Sequence, residues 1–349
     1  SPFNSDLPYD IEQFAAFAEG TLALTDRFDV TAGVRYYDFS EIRTITTGGL
    51  FANGDAGVVD ETSSDGFAPR FILSYDLSDS ITVNAQAAKG FRLGGVNDPL
   101  NTPLCTPADL ALFGGFQDYE DETLWNYEGG VKYKSGPFTA NVAGFYNDVN
   151  NLQVTVDAGS CSSRISFNVP EAHTLGVEFE LGYEPVSGLA LTLAGTWLQS
   201  EFDSTLPDNT TMDPNDVIGG VREGNRLASV PQFQIAATAS YDFNIGSHDA
   251  FVAATFQHVG TRFTQPGDQE NNPRSFVSGL PFGGATGMDA TVLDLELPDY
   301  QIVNLTAGID FEDWSLLAYI NNVTDENALL AFDRERGGRA RLGFHVNQP

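Results

Sequence analysis

Apolar and polar residues alternate along most of this chain. Phe14, Ala16, Ala18, Gly20, Leu22 and Leu24 share one face of an extended segment, with Gln13, Glu19 and Thr21 on the other. Phe28, Val30, Ala32, Val34 and Tyr36 repeat the arrangement against Thr31, Gly33 and Arg35. It returns with Trp125, Tyr127, Gly129, Val131 and Tyr133, then with Leu175, Val177, Phe179, Leu181 and Tyr183. Two further runs go from Phe233 to Tyr241 and from Trp314 to Ile320. Strict period two over eight or more residues predicts strands with one apolar and one polar face. Most runs span about 9–12 residues, enough for a tilted strand to cross a bilayer. About twelve such strands can be read, by the period-two criterion. A soluble sandwich gives the same alternation, so the pattern alone leaves both architectures open.

The connections separate them. Residues 25–27, 77–79, 135–137, 184–188, 243–249 and 311–313 are short links. Between them lie longer ones, roughly 47–65, 91–124, 157–165, 201–229, 263–299 and 323–338. Short and long alternate throughout. An up-and-down antiparallel sheet does this when one rim carries turns and the other carries loops, as outer-membrane barrels do. Long irregular loops are uncommon in compact soluble domains. Aromatics at expected strand ends (Phe28, Trp125, Tyr133, Phe138, Tyr183, Phe233, Tyr241, Phe251, Phe311 and Trp314) fit the two girdles of such a barrel.

Composition sharpens this picture. The 349 residues carry a formal net charge of −31 with a hydrophobic fraction of 42%, too apolar for a disordered acidic chain. Lys and Arg total 17, against the clustered cations that nucleic-acid binding needs. Much of the negative charge falls in expected loops, for example Asp203, Asp208, Asp213 and Asp216. The apolar strand faces named above carry none. The chain has no 18-residue apolar run, so no membrane-spanning helix is expected, which leaves barrel strands unaffected.

Short motifs then add a family resemblance. Lys89-Gly90-Phe91-Arg92-Leu93-Gly94-Gly95-Val96-Asn97, Asn126-Tyr127-Glu128-Gly129-Gly130-Val131-Lys132 and Gly176-Val177-Glu178-Phe179-Glu180 come in this order. Gly33-Val34-Arg35-Tyr36 precedes them and Asn321-Asn322-Val323-Thr324-Asp325-Glu326 follows. Each is weak alone. In this order and spacing the set resembles the TonB-dependent receptors of Gram-negative outer membranes. The resemblance implies an all-β, antiparallel up-and-down transmembrane barrel, of which about 12–13 strands of a 22-strand barrel are present. Residues 1–349 are read as a partial barrel domain, with neither plug domain nor TonB-contacting box, and with the final strand truncated. Residues 323–349 are expected to be the last long loop. In the other reading, Arg341–Val346 is the last strand, with Leu342, Phe344 and Val346 outward.

The implied function is TonB-energised uptake of a scarce, bulky solute such as an iron–siderophore complex. Its implied partners are outer-membrane lipid, the TonB complex through a part outside this chain, and the ligand. The rival reading is a passive diffusion porin or fatty-acid-type channel. No catalytic constellation, metal motif or cofactor motif is expected. His173, His248, His258 and His345 lack metal-site spacing, and Asp213–Asp216 reads as a turn. An inward polar set is expected: Glu19, Arg35, Arg70, Asn84, Gln86, Asn126, Glu128, Lys132, Asn141, Glu178 and Glu180. Arg92 and Asn97 open the longest early loop and are the candidates for ligand contact, or alternatively for bracing that loop. Cys105 and Cys161, the two cysteines, fall in neighbouring outer loops and are either a loop-tying disulfide or two free thiols.

Overall fold

In the computed structural model, residues 2–161, 163–270, 275–278, 291–333 and 343–346 are described. One antiparallel sheet of thirteen strands dominates. Its strands are β1 (Asn4–Asp6), β2 (Tyr9–Thr25), β3 (Phe28–Gly48), β4 (Ala56–Ser78), β5 (Ile81–Arg92), β6 (Glu122–Ser135) and β7 (Phe138–Asp157). They continue as β8 (Arg164–Val186), β9 (Leu189–Phe202), β10 (Phe233–Ile245), β11 (His248–Val259), β12 (Tyr300–Asp310) and β13 (Ser315–Ile320). From β2 to β13 each strand pairs with its chain neighbours, so the topology is up-and-down; β1 adds a short pair to the far end of β3. Among the described residues β2 and β13 do not pair with each other, and the sheet is not closed.

Register explains why the alternation was so regular. Directly opposed residues share a face. Leu22 faces Val30, Val30 faces Leu73, Leu73 faces Ala85 and Ala85 faces Gly129. The apolar row continues through Gly144, Val177, Trp197 and Phe233. Side chains on it stay exposed, among them Phe71, Val131, Val177 and Leu305. An exposed apolar face this broad is not stable in water and is the surface a bilayer covers. The opposite face carries Glu19, Arg70, Gln86, Glu128, Asn141 and Glu180. There a ladder crosses several strands: Arg70 lies 3.7 Å from Glu19, Gln86 Nε2 donates to Asn126 Oδ1 at 2.9 Å, and Asn126 Nδ2 donates to Asn147 Oδ1 at 2.9 Å.

Aromatic rings meet along the short-turn rim. Phe138 contacts both Tyr133 and Tyr183, Phe28 meets Tyr75, and Phe311 stacks on Trp314 at 4.0 Å. Phe251 departs from the sequence expectation. It sits opposite Asp242 and Gly308, on the polar face, because its parity along β11 puts it there; a side chain at Gly308 would collide with its ring.

Strand length is a second correction. β3, β4, β7 and β8 run 21, 23, 20 and 23 residues, about twice the expected span. The link read as 47–65 shrinks to 49–55, because the β3–β4 hairpin continues past the bilayer-spanning part. Beyond the bilayer the burial pattern inverts. Tyr37, Phe39 and Ile45 on the polar-face side become buried, while their outward neighbours are half-buried or exposed. Polar residues outside and apolar residues inside are what water and a covering loop demand there, and that reversal hid the hairpin in the sequence. The described parts of 323–349 include Leu329–Asp333 paired with Gly343–Val346, apart from the large sheet. Arg334, Arg336, Arg339 and Arg341 lie outside the described residues.

Candidate functional site at the outer mouth

The long-loop rim holds the main hydrophobic core of the molecule. Val149, Val154, Val156, Ile165, Phe167, Val169 and Ala172 on the inner side of the β7–β8 hairpin pack with Phe202 at the end of β9 and with Leu100, Phe113 and Val221 from the loops. Residues 93–121 therefore fold inward across the mouth rather than outward into solvent. A short helix α1 (Pro107–Phe113) sits within them. Proline at its first turn and a Thr106 hydroxyl accepting from Asp109 N at 3.2 Å start it.

Loop and wall are joined at several independent points. Cys105 and Cys161 are joined as a disulfide, with Cα atoms 4.1 Å apart. Beside it, Ser160 N donates to Asp109 Oδ2 at 2.9 Å, and Thr106 N donates to Ser160 Oγ at 2.7 Å. Burial raises the Asp109 carboxyl, but hydrogen bonds from the Ser160 hydroxyl, the Ser160 amide and Thr106 outweigh it and hold the group below the ordinary carboxylate value of 3.8. Gly159, in the left-handed region at φ 51°, lies directly against that carboxylate, with no room for a β-carbon.

Asn97 is buried and fully engaged. Its Oδ1 accepts from Ser166 N at 2.8 Å while its Nδ2 donates to Ser166 O at 2.7 Å and to Phe116 O at 3.1 Å. The side-chain amide thus pairs with β8 like a neighbouring strand, along a stretch of β8 that β9 does not cover. Gln153 does comparable work from β7, its Nε2 donating to Leu93 O at 2.9 Å and Glu120 O at 3.1 Å. On the other wall, Arg43 is buried, donates to Val96 O at 2.7 Å, and pairs with Asp98. Tyr37 stacks on Phe91 at 3.5 Å and donates to Asp121 Oδ2 at 3.2 Å.

Arg92 differs from Asn97. It ends β5 opposite Glu122 and is exposed, and its guanidinium makes no hydrogen bond or ion pair among the described residues. The two candidates are therefore not brought together into one contact set. Arg43, Gln153, Tyr37 and Asp121 were not singled out in the sequence. Their partners lie between 27 and 84 positions away, and no local pattern encodes such pairings.

The second half of the rim is built from 203–232 and 260–270. Arg222 pairs with Glu270 at 2.9 Å, and Arg226 donates to Thr261 O at 2.8 Å. Asp213–Asp216 is a turn, with Asn215 N donating to Asp213 Oδ1 at 2.9 Å. His173 meets the Asp203 carboxylate at 2.7 Å and His258 lies 3.9 Å from Asp299. No group of three His, Cys, Asp or Glu suited to a metal ion occurs among the described residues.

The family description "TonB dependent receptor-like, beta-barrel" matches residues 1–323. The chain belongs to the TonB-dependent receptor β-barrel family. It is an outer-membrane receptor barrel chain of the Gram-negative type, and its family comprises receptors rather than enzymes. It is 27% identical over 235 residues to the pesticin receptor of Yersinia pestis, covering 66% of this chain and 31% of that protein. It is 23% identical over 347 residues to the ferrienterobactin receptor of Escherichia coli K12, covering 95% of this chain and 39% of that one. Among solved structures, the ferric yersiniabactin uptake receptor FyuA from Yersinia pestis superposes with a TM-score of 0.72 at 21% identity, over 99% of this chain and 45% of that one. The copper transporter OprC gives 0.60 at 16% identity, over 92% and 43%. These structural likenesses speak for the fold. The TonB-dependent receptor chain described here spans less than half the length of each of these relatives.

Proposed function

We propose that this chain is part of the wall and outer mouth of a receptor that imports a scarce, bulky solute such as an iron–siderophore complex, energised through TonB. Residues 1–349 act as one partial barrel domain, and the plug and TonB contact belong to a part of the receptor outside them. The observation that carries this reading is the mouth itself. An inward-folded loop, tied to both walls, narrows the entrance of a polar-lined barrel and offers a preformed surface for a large ligand. Membership of the family supports the TonB coupling, and the iron-chelate receptors among its relatives support the solute class.

Within this reading Arg92 is the ligand contact and Asn97 the brace. The Cys105–Cys161 bridge forms on export to the oxidising periplasm and holds α1 against the turn at 159–161. The test is solute uptake by cells whose only copy of the gene is intact or deleted, with TonB present or absent. Loss of ferric-chelate uptake on deletion, and equally without TonB, supports the proposal. Uptake that persists without TonB and rises linearly with solute concentration favours the passive channel.

A further inference from the structure

The lumen side of the β3–β4 hairpin and the inward-folded loop enclose a cavity of about 290 Å³. Its floor is apolar: Ile45 and Val58 from the hairpin, Leu100 and Phe113 from the loop. Three carboxylates line it, those of Asp55, Asp60 and Asp98. Asp60 makes no side-chain hydrogen bond or ion pair among the described residues. Asp55 uses only Oδ2, accepting from the Thr47 hydroxyl, and Asp98 only Oδ1, toward Arg43. Arg43, buried, pairs with Asp98 and stands directly across the β3–β4 ladder from Asp60, so its one positive charge offsets one of the three negative charges. Across Asp98 and Pro99 an adjoining cavity of about 440 Å³ brings Arg164, which is itself paired with Asp157 at 3.3 Å. Three carboxylates against one guanidinium leave the first cavity with an excess of two negative charges above an apolar floor.

We infer that this cavity is a subsite for an organic cation: an ammonium or guanidinium group carried on an aromatic or aliphatic body of roughly ten heavy atoms, the size its volume admits. The inference rests on the reading of this rim as the receptor's mouth, and it names the chemistry of one arm of the ligand. A bare metal ion is a poor occupant, since the carboxylates do not gather as a metal-binding group among the described residues. An extended cation with a hydrophobic body satisfies separated carboxylates and floor together. An anionic arm would meet the same charges with no free cation lining the cavity to receive it.

The test uses the receptor as cells make it, purified from outer membranes into nanodiscs. Phenethylammonium is the probe, with 2-phenylethanol and phenylacetate as its neutral and anionic counterparts, read by saturation-transfer NMR. The cation should bind at least fivefold more tightly than either counterpart. Asp60→Asn, which removes a charge without removing any hydrogen bond of the fold, should weaken it about fivefold, the scale of one half-buried charge contact. Val58→Trp, which fills the floor, should abolish binding. Equal binding of the three probes overturns the inference, as does full cation binding by Asp60→Asn. Ferric-chelate uptake is measured separately. If uptake fails while the cation binds selectively, the transport reading falls and the cavity assignment stands; if uptake succeeds without selective cation binding, only the cavity assignment falls.

Discussion

Arg92 and Asn97, five positions apart in one motif, show how differently the mouth uses its side chains. Asn97 gives both ends of its amide to backbone groups of β8 and the loop. Asn97→Ala leaves those half-buried groups unpaired, at a cost of up to about 1–3 kcal/mol each where water does not reach them. Hydrogen exchange of residues 93–121 should accelerate in that variant. Arg92→Ala, by contrast, should leave exchange unchanged and weaken ligand binding, because the guanidinium holds nothing on this chain in place. Parallel exchange and binding measurements separate the two roles, and the assignment fails if Arg92→Ala loosens the loop. Asp109 sets a pH limit at the same scale. Its folded-state pKa is depressed by the Ser160 and Thr106 hydrogen bonds. The stabilisation is therefore fully present above the ordinary value of 3.8 and is lost as pH falls through the lower folded value. Exchange in α1 should rise only on acidification below that range, and Asp109→Asn should flatten the response. A rise between neutral pH and 5 in the parent protein would contradict it.

Elements show how far the sequence could be read. Period-two alternation located β2 to β13, since a strand between lipid and a polar lumen must alternate at every step. The same rule failed beyond the bilayer. Tyr37, Phe39 and Ile45 turn inward under a loop, so the upper β3–β4 hairpin reads as a connection. Phe251 was misplaced because an aromatic near a strand end was counted without its parity. The mouth was legible only in part: the Arg92–Asn97 motif and the two cysteines stood out locally, whereas Arg43, Gln153 and Asp60 acquire meaning only through partners brought in by the fold. Gly159 offers an element-level check. Gly159→Ala forces a β-carbon against the Asp109 carboxylate at a backbone conformation alanine resists. It should loosen α1 while leaving the barrel strands intact, measured as a local rise in exchange. A uniform rise across the sheet would show that the loop and strands are one cooperative unit instead.

At the scale of the whole molecule, the face that includes Leu73, Val131, Val177 and Leu305 has one compatible environment. Leu305→Arg puts a charge on that face, in a row with Ala254 and Ile320. A cationic side chain near the bilayer midplane costs about 2–4 kcal/mol, so folding into lipid vesicles should weaken by that amount. A matching substitution on the polar face, Thr306→Arg, should cost far less. Equal penalties would undo the assignment of the two faces.

We propose above that a receptor with this wall and mouth imports its solute only when energised through TonB. The most direct measurement is radio-iron uptake from ferric chelates by cells expressing that receptor, with and without a working TonB system. Uptake should be saturable and should be abolished when either the receptor or TonB is removed. Uptake through the receptor that continues undiminished without TonB would contradict it.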